Sequence, residues 1–389
     1  MPCLNEAETL ASCIAKAKTG IETDGVSGEI VIADNGSTDG SVEIAERLGA
    51  RVVKVVEKGY GSALRGGIAA AQGQWIIMGD ADDSYDFTRI EGFVKELRAG
   101  KGLVMGCRLP SGGGTVLPGA MPWKNRWIGN PGLSFLGRLF FKTPIHDFHC
   151  GLRAFTREAY DSLDLKTTGM EFASEMVMKA TLKKLPMAET PITLHPDGRS
   201  RPPHLRAWRD GWRNLRFMLI YSPRWLFLMP GVLLTTLGGI VTLALSRGAI
   251  HAFGIGFDIG TQFVAAMSII AGIQMAGFAC FTKLFAIAEG LLPEDPRFAN
   301  VFRYLTLERG IAAGGAALLT GTGLMFRAVW LWGETGFGHL SYADNLRLLI
   351  PAVTAVIIGV QIISSSFFMS VLGLKTSQRH PPSPPESGG

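Results

Sequence analysis

The five cysteines of this 389-residue chain (Cys3, Cys13, Cys107, Cys150 and Cys280) make no CxxC pair and no zinc-ligand spacing. Neither a disulfide framework nor a structural metal site is thereby indicated, and a reducing compartment fits best. The basic and apolar regions of a signal peptide are also missing from Met1-Pro2-Cys3-Leu4-Asn5-Glu6, so the first domain is expected to stay in the cytoplasm. No internal repeat of about 20 to 50 residues is visible. The formal net charge is only +5, and no nucleic-acid partner is expected. Placement matters more than total. Between His195 and Trp225 stand seven arginines (Arg199, Arg201, Arg206, Arg209, Arg213, Arg216 and Arg224) against Asp197 and Asp210. This cluster abuts the first long apolar run, at the depth of anionic lipid headgroups.

The chain changes character along its length. Up to about residue 215 charge, glycine and short apolar runs alternate; beyond it come four long apolar stretches, about Trp225 to Leu245, Thr261 to Phe281, Ile311 to Trp332 and Leu348 to Leu374. Each is near the ~20 residues that cross a bilayer. Lys283, Arg297, Arg303 and Arg309 between the second and third, with Lys375 and Arg379 in the tail, place the first domain, the middle loop and the tail on the cytoplasmic side. In the first half, Ile30 to Ala33, Arg51 to Val56 and Trp75 to Met78 read as strands, with helices after Ser41 and over Gly61 to Gln72. Such alternation predicts an α/β domain with a mainly parallel sheet flanked by helices, binding its ligands at the carboxyl ends of the strands, where Asp34 and Asp80 fall. The expected domains are 1–203, a basic amphipathic helix at 204–224, an all-α four-helix transmembrane domain at 225–374, and a disordered tail at 375–389.

Asp80-Ala81-Asp82 leaves a strand end, where two carboxylates can share a hard cation with substrate phosphates. Capping or solvation is the alternative for any isolated pair of this kind. Three motifs in sequence, Pro2-x-x-Asn5-Glu6, Asp34-x-Gly36-Ser37-x-Asp39 and Asp80-Ala81-Asp82, resemble family 2 glycosyltransferases of GT-A fold. Downstream, Gly106-Cys107-Arg108 and Asp147-x-x-x-Gly151-x-Arg153 resemble the polyprenyl-phosphate sugar synthases, among them the dolichol-phosphate mannose and glucose synthases. That resemblance covers residues 1 to about 205. It implies inverting transfer of a hexose from a UDP- or GDP-linked donor to a polyprenyl phosphate, with Mg²⁺ or Mn²⁺. Pro2, Asn5, Glu6, Asp34, Asp39, Lys58, Asp80 and Arg108 would bind the donor, Asp80 and Asp82 the metal, and Asp82, Asp147 and Arg153 would carry catalysis. Asp39 could equally cap the helix near Ser41, and Gly61 lies beside Lys58 in the loop that contacts nucleotide.

Two departures stand out: the apolar strand that precedes Pro-x-x-Asn-Glu in the family is missing here, and Ser84 replaces a glutamine of the mannose synthases. Arg199 and Arg201 are assigned to the acceptor phosphate, because guanidinium pairs with phosphate through two parallel hydrogen bonds. Asp147 is expected to orient Arg153 or the acceptor. His146 and His149 read as loop residues rather than ligands, and Glu171 and Glu175 share a helix face. Membrane lipid is a further partner, as is a second copy of the chain. Rival readings are transfer to a lipid or polysaccharide hydroxyl, and an inactive membrane scaffold. A fragment ending near Tyr221 should bind anionic vesicles and detach at high salt, each Lys or Arg near the surface contributing about 1 kcal/mol; equal binding to neutral vesicles would refute the electrostatic role.

Overall fold

The computed structural model describes residues 1–200, 207–252, 254–293, 296–304, 306–338 and 342–379. The chain divides into two compact units, Met1–Met218 and Leu219–Gly389.

In the first unit, strands β1 (Pro2–Cys3), β2 (Val31–Asp34) and β3 (Arg51–Lys54) alternate with helices α1 (Leu10–Thr23), α2 (Ser41–Arg47) and α3 (Tyr60–Ala70). All three strands pair in parallel. The strand expected to be missing is therefore present as a two-residue stub. Cys3 pairs with Asp34, and the Met1 amino group donates to the Val31 carbonyl at 2.9 Å. Next come β4 (Trp75–Met78), α4 (Glu91–Arg98), β5 (Leu103–Cys107), β6 (Thr115–Val116), α5 (Asn130–Phe141), β7 (Arg153–Thr156), α6 (Arg157–Leu163), α7 (Glu171–Leu182), β8 (Met187–Pro191) and β9 (Thr193–Leu194). A second sheet has the order β4-β7-β5-β8, antiparallel on both sides of β7 and parallel between β5 and β8. β5 is buried at every position, which explains why Leu103-Val104-Met105 is apolar without alternation. Between the edges of the two sheets lies an apolar cavity of about 210 Å³, lined by Met1, Val31, Ala33, Ile76 and Met78 among others. The unit ends in α8 (Ala207–Ile220), which carries the exposed Trp208 and Trp212; Arg201, Leu205 and Arg206 lie outside the described residues.

The second unit holds α9 (Met229–Leu245), a hairpin of β10 (Ile250–Ala252) and β11 (Ile255–Phe257), then α10 (Ile259–Ala288), α11 (Pro296–Tyr304), α12 (Leu307–Glu334) and α13 (Tyr342–Arg379). Four of its helical stretches, Arg224–Leu245, Ile259–Ala288, Leu307–Glu334 and Ala343–Gly373, are long and apolar enough to span a bilayer. Small residues set their packing. A Cβ on Gly231 or Gly238 of α9 would meet the carbonyl of Gly272 or Ala265 of α10 at 2.7 or 2.6 Å. A Cβ on Gly314 or Gly321 of α12 would likewise meet that of Gly359 or Ala352 of α13 at 2.7 or 2.6 Å. The α9–α10 and α12–α13 hairpins are thus two copies of one close-packed design.

The copies meet at equivalent positions. Gln274 and Gln361 stand two places after Gly272 and Gly359, and the Gln361 amide donates to Gln274 Oε1 at 3.1 Å. Phe281 and Phe368, seven places further on in each copy, pack edge to face with centroids 4.8 Å apart. Residues that touch their own counterparts define a local twofold axis. The duplication has a longer period than the ~20 to 50 residues of a short repeat, since Gln274 and Gln361 stand 87 positions apart. Gln274→Leu or Gln361→Leu should each lower the thermal stability of the detergent-solubilised protein, by about 0.6 to 2 kcal/mol. The double variant should recover part of that loss, since neither amide is then left unpaired; strictly additive losses would count against the pairing.

Candidate active site

The carboxyl ends of β1, β2 and β4 deliver three loops to one place, and side chains lock them together. Asn5, at φ 60°, accepts the Thr38 amide at 2.8 Å. Asp39 accepts the Ala7 amide at 2.9 Å, together with the Ser41 amide and hydroxyl. Thr9 donates to the Ala81 carbonyl at 2.7 Å. Asp34 is 5 % exposed and spends its oxygens on the Gly36 and Ser37 amides at 3.1 and 3.0 Å. Asn5, Asp34 and Asp39, expected to touch the donor, all accept hydrogen bonds that build these loops. Asn35, which the motif reading passed over, ties the loop after β3: its amide donates to Val55 and Glu57 and its oxygen accepts from Gly59, while Lys58 donates to the Asn35 carbonyl at 2.5 Å.

These loops open on a cavity of about 810 Å³, of the size that holds a nucleotide-sugar-sized ligand. Pro2, Glu6, Lys58, Asp80, Asp82 and Arg199 line it, and so do Tyr60, Glu171, Arg209 and Arg213. Asp80 accepts the Tyr60 hydroxyl at 2.8 Å; burial, and next the charge of Asp82, push its carboxyl up to about 6. Asp82 directs one oxygen to the Ser84 amide and hydroxyl at 3.1 and 2.6 Å, and the other to Arg199 at 2.8 Å. Ser84 therefore orients Asp82. Arg199, assigned from the sequence to the acceptor phosphate, also reaches Glu6 at 3.1 Å, so its guanidinium sits at the paired carboxylates. Arg201 is outside the described residues.

Arg209 and Arg213 of α8 line the same cavity, Arg213 in an ion pair with Glu171 at 2.9 Å. Their four-residue spacing on a helix, beside the tryptophan face, was the available signal; reading them as lipid anchors concealed it. Tyr60 carried no signal in its motif. Glu175 is fully buried, pairs with Lys179 at 2.7 Å, and accepts from the Lys166 and Thr167 amides, which pins the cavity-lining loop 166–169. Thr168 and Gly169 of that loop lie so close to Gly59 and Gly61 that an added Cβ at either glycine would fall within 3 Å of their backbone.

Asp147 does not orient Arg153. It is 0 % exposed and holds Arg108 through a two-pronged pair at 2.7 and 2.9 Å, and also accepts the Arg108 amide. Burial alone would raise the Asp147 carboxyl, but the Arg108 guanidinium and its hydrogen bonds hold it below the usual range. Arg153 is fully buried and donates to the carbonyls of Cys150, Ala173 and Phe148, so it supports the wall instead of facing the cavity. His146 pairs with Glu189, and His149 contacts Ser174; the two point to different partners. Among the described residues no group of three or more His, Cys, Asp or Glu side chains is placed to hold a metal. Asp80 and Asp82 nonetheless offer hard oxygen donors at the edge of a wide cavity, and a guanidinium already stands on Asp82, so a divalent ion completed by substrate phosphates fits.

The strand-end carboxylates and the long apolar helices define an enzyme of the glycosyl-transfer class fused to a membrane domain. Residues 1–164 match the model described as glycosyl transferase family 2, and residues 280–373 the one described as glycosyltransferase family 2 C-terminal transmembrane region. Over 377 residues the chain is 37 % identical to the low-salt glycan biosynthesis hexosyltransferase Agl6 of Haloferax volcanii, covering 96 % of this chain and 88 % of that one. It is 30 % identical over 193 residues to the dolichyl-phosphate hexose transferase of the same organism, covering 49 % of this chain and 79 % of that one. A glucosyl-3-phosphoglycerate synthase structure from Mycobacterium tuberculosis aligns with TM-score 0.45 and 23 % identity, covering 57 % of this chain and 77 % of that one. The chain belongs to glycosyltransferase family 2 and is an integral membrane glycosyltransferase.

Asp147→Asn should destabilise the first unit by about 3 to 5 kcal/mol, because it strands a buried guanidinium. A carboxyl held below its unfolded value stabilises the fold above about pH 4, and this stabilisation is lost as pH falls through the lowered value. Hydrogen exchange in β5 and β7 should therefore accelerate in the variant at pH 7, and in the wild type only in acid; unchanged exchange in the variant would refute the assignment.

Proposed function

We propose that this enzyme transfers a hexose, with inversion, from a UDP- or GDP-linked sugar to a polyprenyl phosphate at the cytoplasmic membrane face. The catalytic domain spans 1–203, the amphipathic helix 204–224 and the membrane domain 225–374. The observation that carries the acceptor class is the charge of the cavity wall: Lys58, Lys166, Arg199, Arg209 and Arg213 line it, the last two on a helix whose Trp208 and Trp212 are exposed. Glu6, Asp80, Asp82, Glu171 and Asp210 line it too, so the wall balances its charges until a divalent ion joins Asp80 and Asp82. Guanidinium and ammonium groups then left for phosphate suit phosphorylated substrates, and tryptophans on the same helix suit a lipid one. The dolichyl-phosphate hexose transferase relative supports the same acceptor by its name. The loop and tail basic residues support the cytoplasmic orientation.

Glu6 and Lys58 would grip the donor, while Asp82, oriented by Ser84, and Asp80, held by Tyr60, would take Mg²⁺ or Mn²⁺ jointly with its diphosphate. The ion, when bound, neutralises charge on the departing nucleoside diphosphate. A phosphate monoester has a second pKa of about 6 and attacks as an anion without a general base. A hydroxyl acceptor would need a base such as Asp147, and that carboxylate is buried against Arg108, which favours the phosphate acceptor over the rival hydroxyl one. Arg153, whose guanidinium donates to the Cys150 and Ala173 carbonyls, would serve by holding the wall of the site.

Membranes containing the protein should pass label from UDP- or GDP-hexose to polyprenyl phosphate and not to free polyprenol. Asp82→Asn should cut kcat about 10²-fold or more, the scale on which single groups stabilise transition-state charge, and EDTA should mimic it. Equal use of polyprenol would install the hydroxyl-acceptor reading; full activity in chelator would remove the metal; no transfer with any donor would leave the scaffold.

A further inference from the structure

The segment after β9 is strapped across the donor loops by a set of contacts that the proposed chemistry does not use. Gly198 donates its amide to the Asp82 carbonyl at 3.0 Å. Ser200 gives its amide and hydroxyl to Glu8 at 2.7 and 2.6 Å. Between them Arg199 reaches inward, its side chain only 9 % exposed, to Asp82 at 2.8 Å, Glu6 at 3.1 Å and Asp197 at 3.2 Å. Its buried Nε has no partner among the described residues, so the guanidinium is not held by a full set of bonds.

Asp82 has one oxygen committed to Ser84 and the other to Arg199. An ion such as Mg²⁺ sits about 2.0–2.1 Å from a carboxylate oxygen, closer than any donor on Asp82, and of these donors only the guanidinium carries a charge that opposes the ion's arrival. Desolvated carboxylates without a nearby cation are costly, so a cation must stand there at every stage. We infer that Arg199 is a placeholder cation. It neutralises Asp82 and Glu6 while the donor site is empty, yields Asp82 to the divalent ion, and is thereby released with its strap to turn its fork, Nε included, toward substrate phosphate. Arg199 is thus a positioning residue that couples cation arrival to the opening of the 197–200 strap. The inference rests on the metal reading of Asp82.

Mn²⁺ alone is the probe, titrated against the purified full chain in detergent and followed by the electron paramagnetic resonance of free Mn²⁺. Because an opposite charge at this distance shifts carboxylate affinities by one to three decades, Arg199→Gln should bind Mn²⁺ about tenfold tighter than wild type or more. Arg213→Gln, which removes a cation from the same cavity without touching Asp82, should gain about threefold or less, as screened charges do. Arg199→Lys, keeping one charge but losing the fork, should fall between. In the wild type, which needs no substitution, Mn²⁺ should speed amide hydrogen exchange at Gly198 and Ser200. Equal Mn²⁺ affinity in wild type and Arg199→Gln, equal gains in Arg199→Gln and Arg213→Gln, or slower exchange in the strap on adding Mn²⁺ would each overturn the exchange. Undiminished Mn²⁺ binding by Asp82→Asn would instead overturn the metal reading itself, and the placeholder with it.

Discussion

A carboxylate drawn out of water needs a cation or a row of amide donors, and the first unit is arranged around that need. Asp34 and Asp39 are satisfied by backbone amides, Asp80 by a tyrosine hydroxyl, Asp147 by Arg108, Glu175 by Lys179 and the loop after α6, and Asp82 by Ser84 and Arg199. Asp34 shapes its own loop and the others fasten one segment to another, so the acidic residues that make the donor site polar also hold its shape. The cavity stays open because the fastening is done at its rim and floor.

The membrane unit meets the opposite problem. In a bilayer the apolar surface of one helix has no preference for another helix over lipid, so packing must come from close backbone approach and a few polar contacts. Gly231, Gly238, Gly314 and Gly321 supply the approach within each hairpin, and Gln274 with Gln361 supplies a polar contact between hairpins. Using one hairpin twice solves both tasks with a single pattern, and places the polar pair at the twofold axis, where each glutamine meets its own copy.

Some of this was legible before any fold was known. Strands that alternate with helices, motif spacing at strand ends and four apolar runs are local or periodic properties, and they gave the α/β architecture, the Asp80–Asp82 pair at a strand end and the four long apolar helices. Where the reading went astray, the cause was a partner far away in sequence. Asp147 was matched to Arg153 because they share a motif, but the nearer guanidinium in space is Arg108, brought in by β5. Arg199 was assigned to phosphate for its two-pronged guanidinium, and its ion pair with Glu6, 193 positions earlier in the chain, had no signal in the sequence.

The amino-acid sequence by itself determined the class of the protein: hydrophobic periodicity sets secondary structure, apolar length sets membrane spans, and carboxylates at strand ends set the kind of ligand. The tertiary structure decided which charges neutralise each other, which arginines of α8 face the cavity, and that two hairpins with little side-chain likeness are copies. The physical reason is that charge pairing and backbone approach act through space over a few ångströms, and the distance along the chain between such partners leaves no trace in either residue alone.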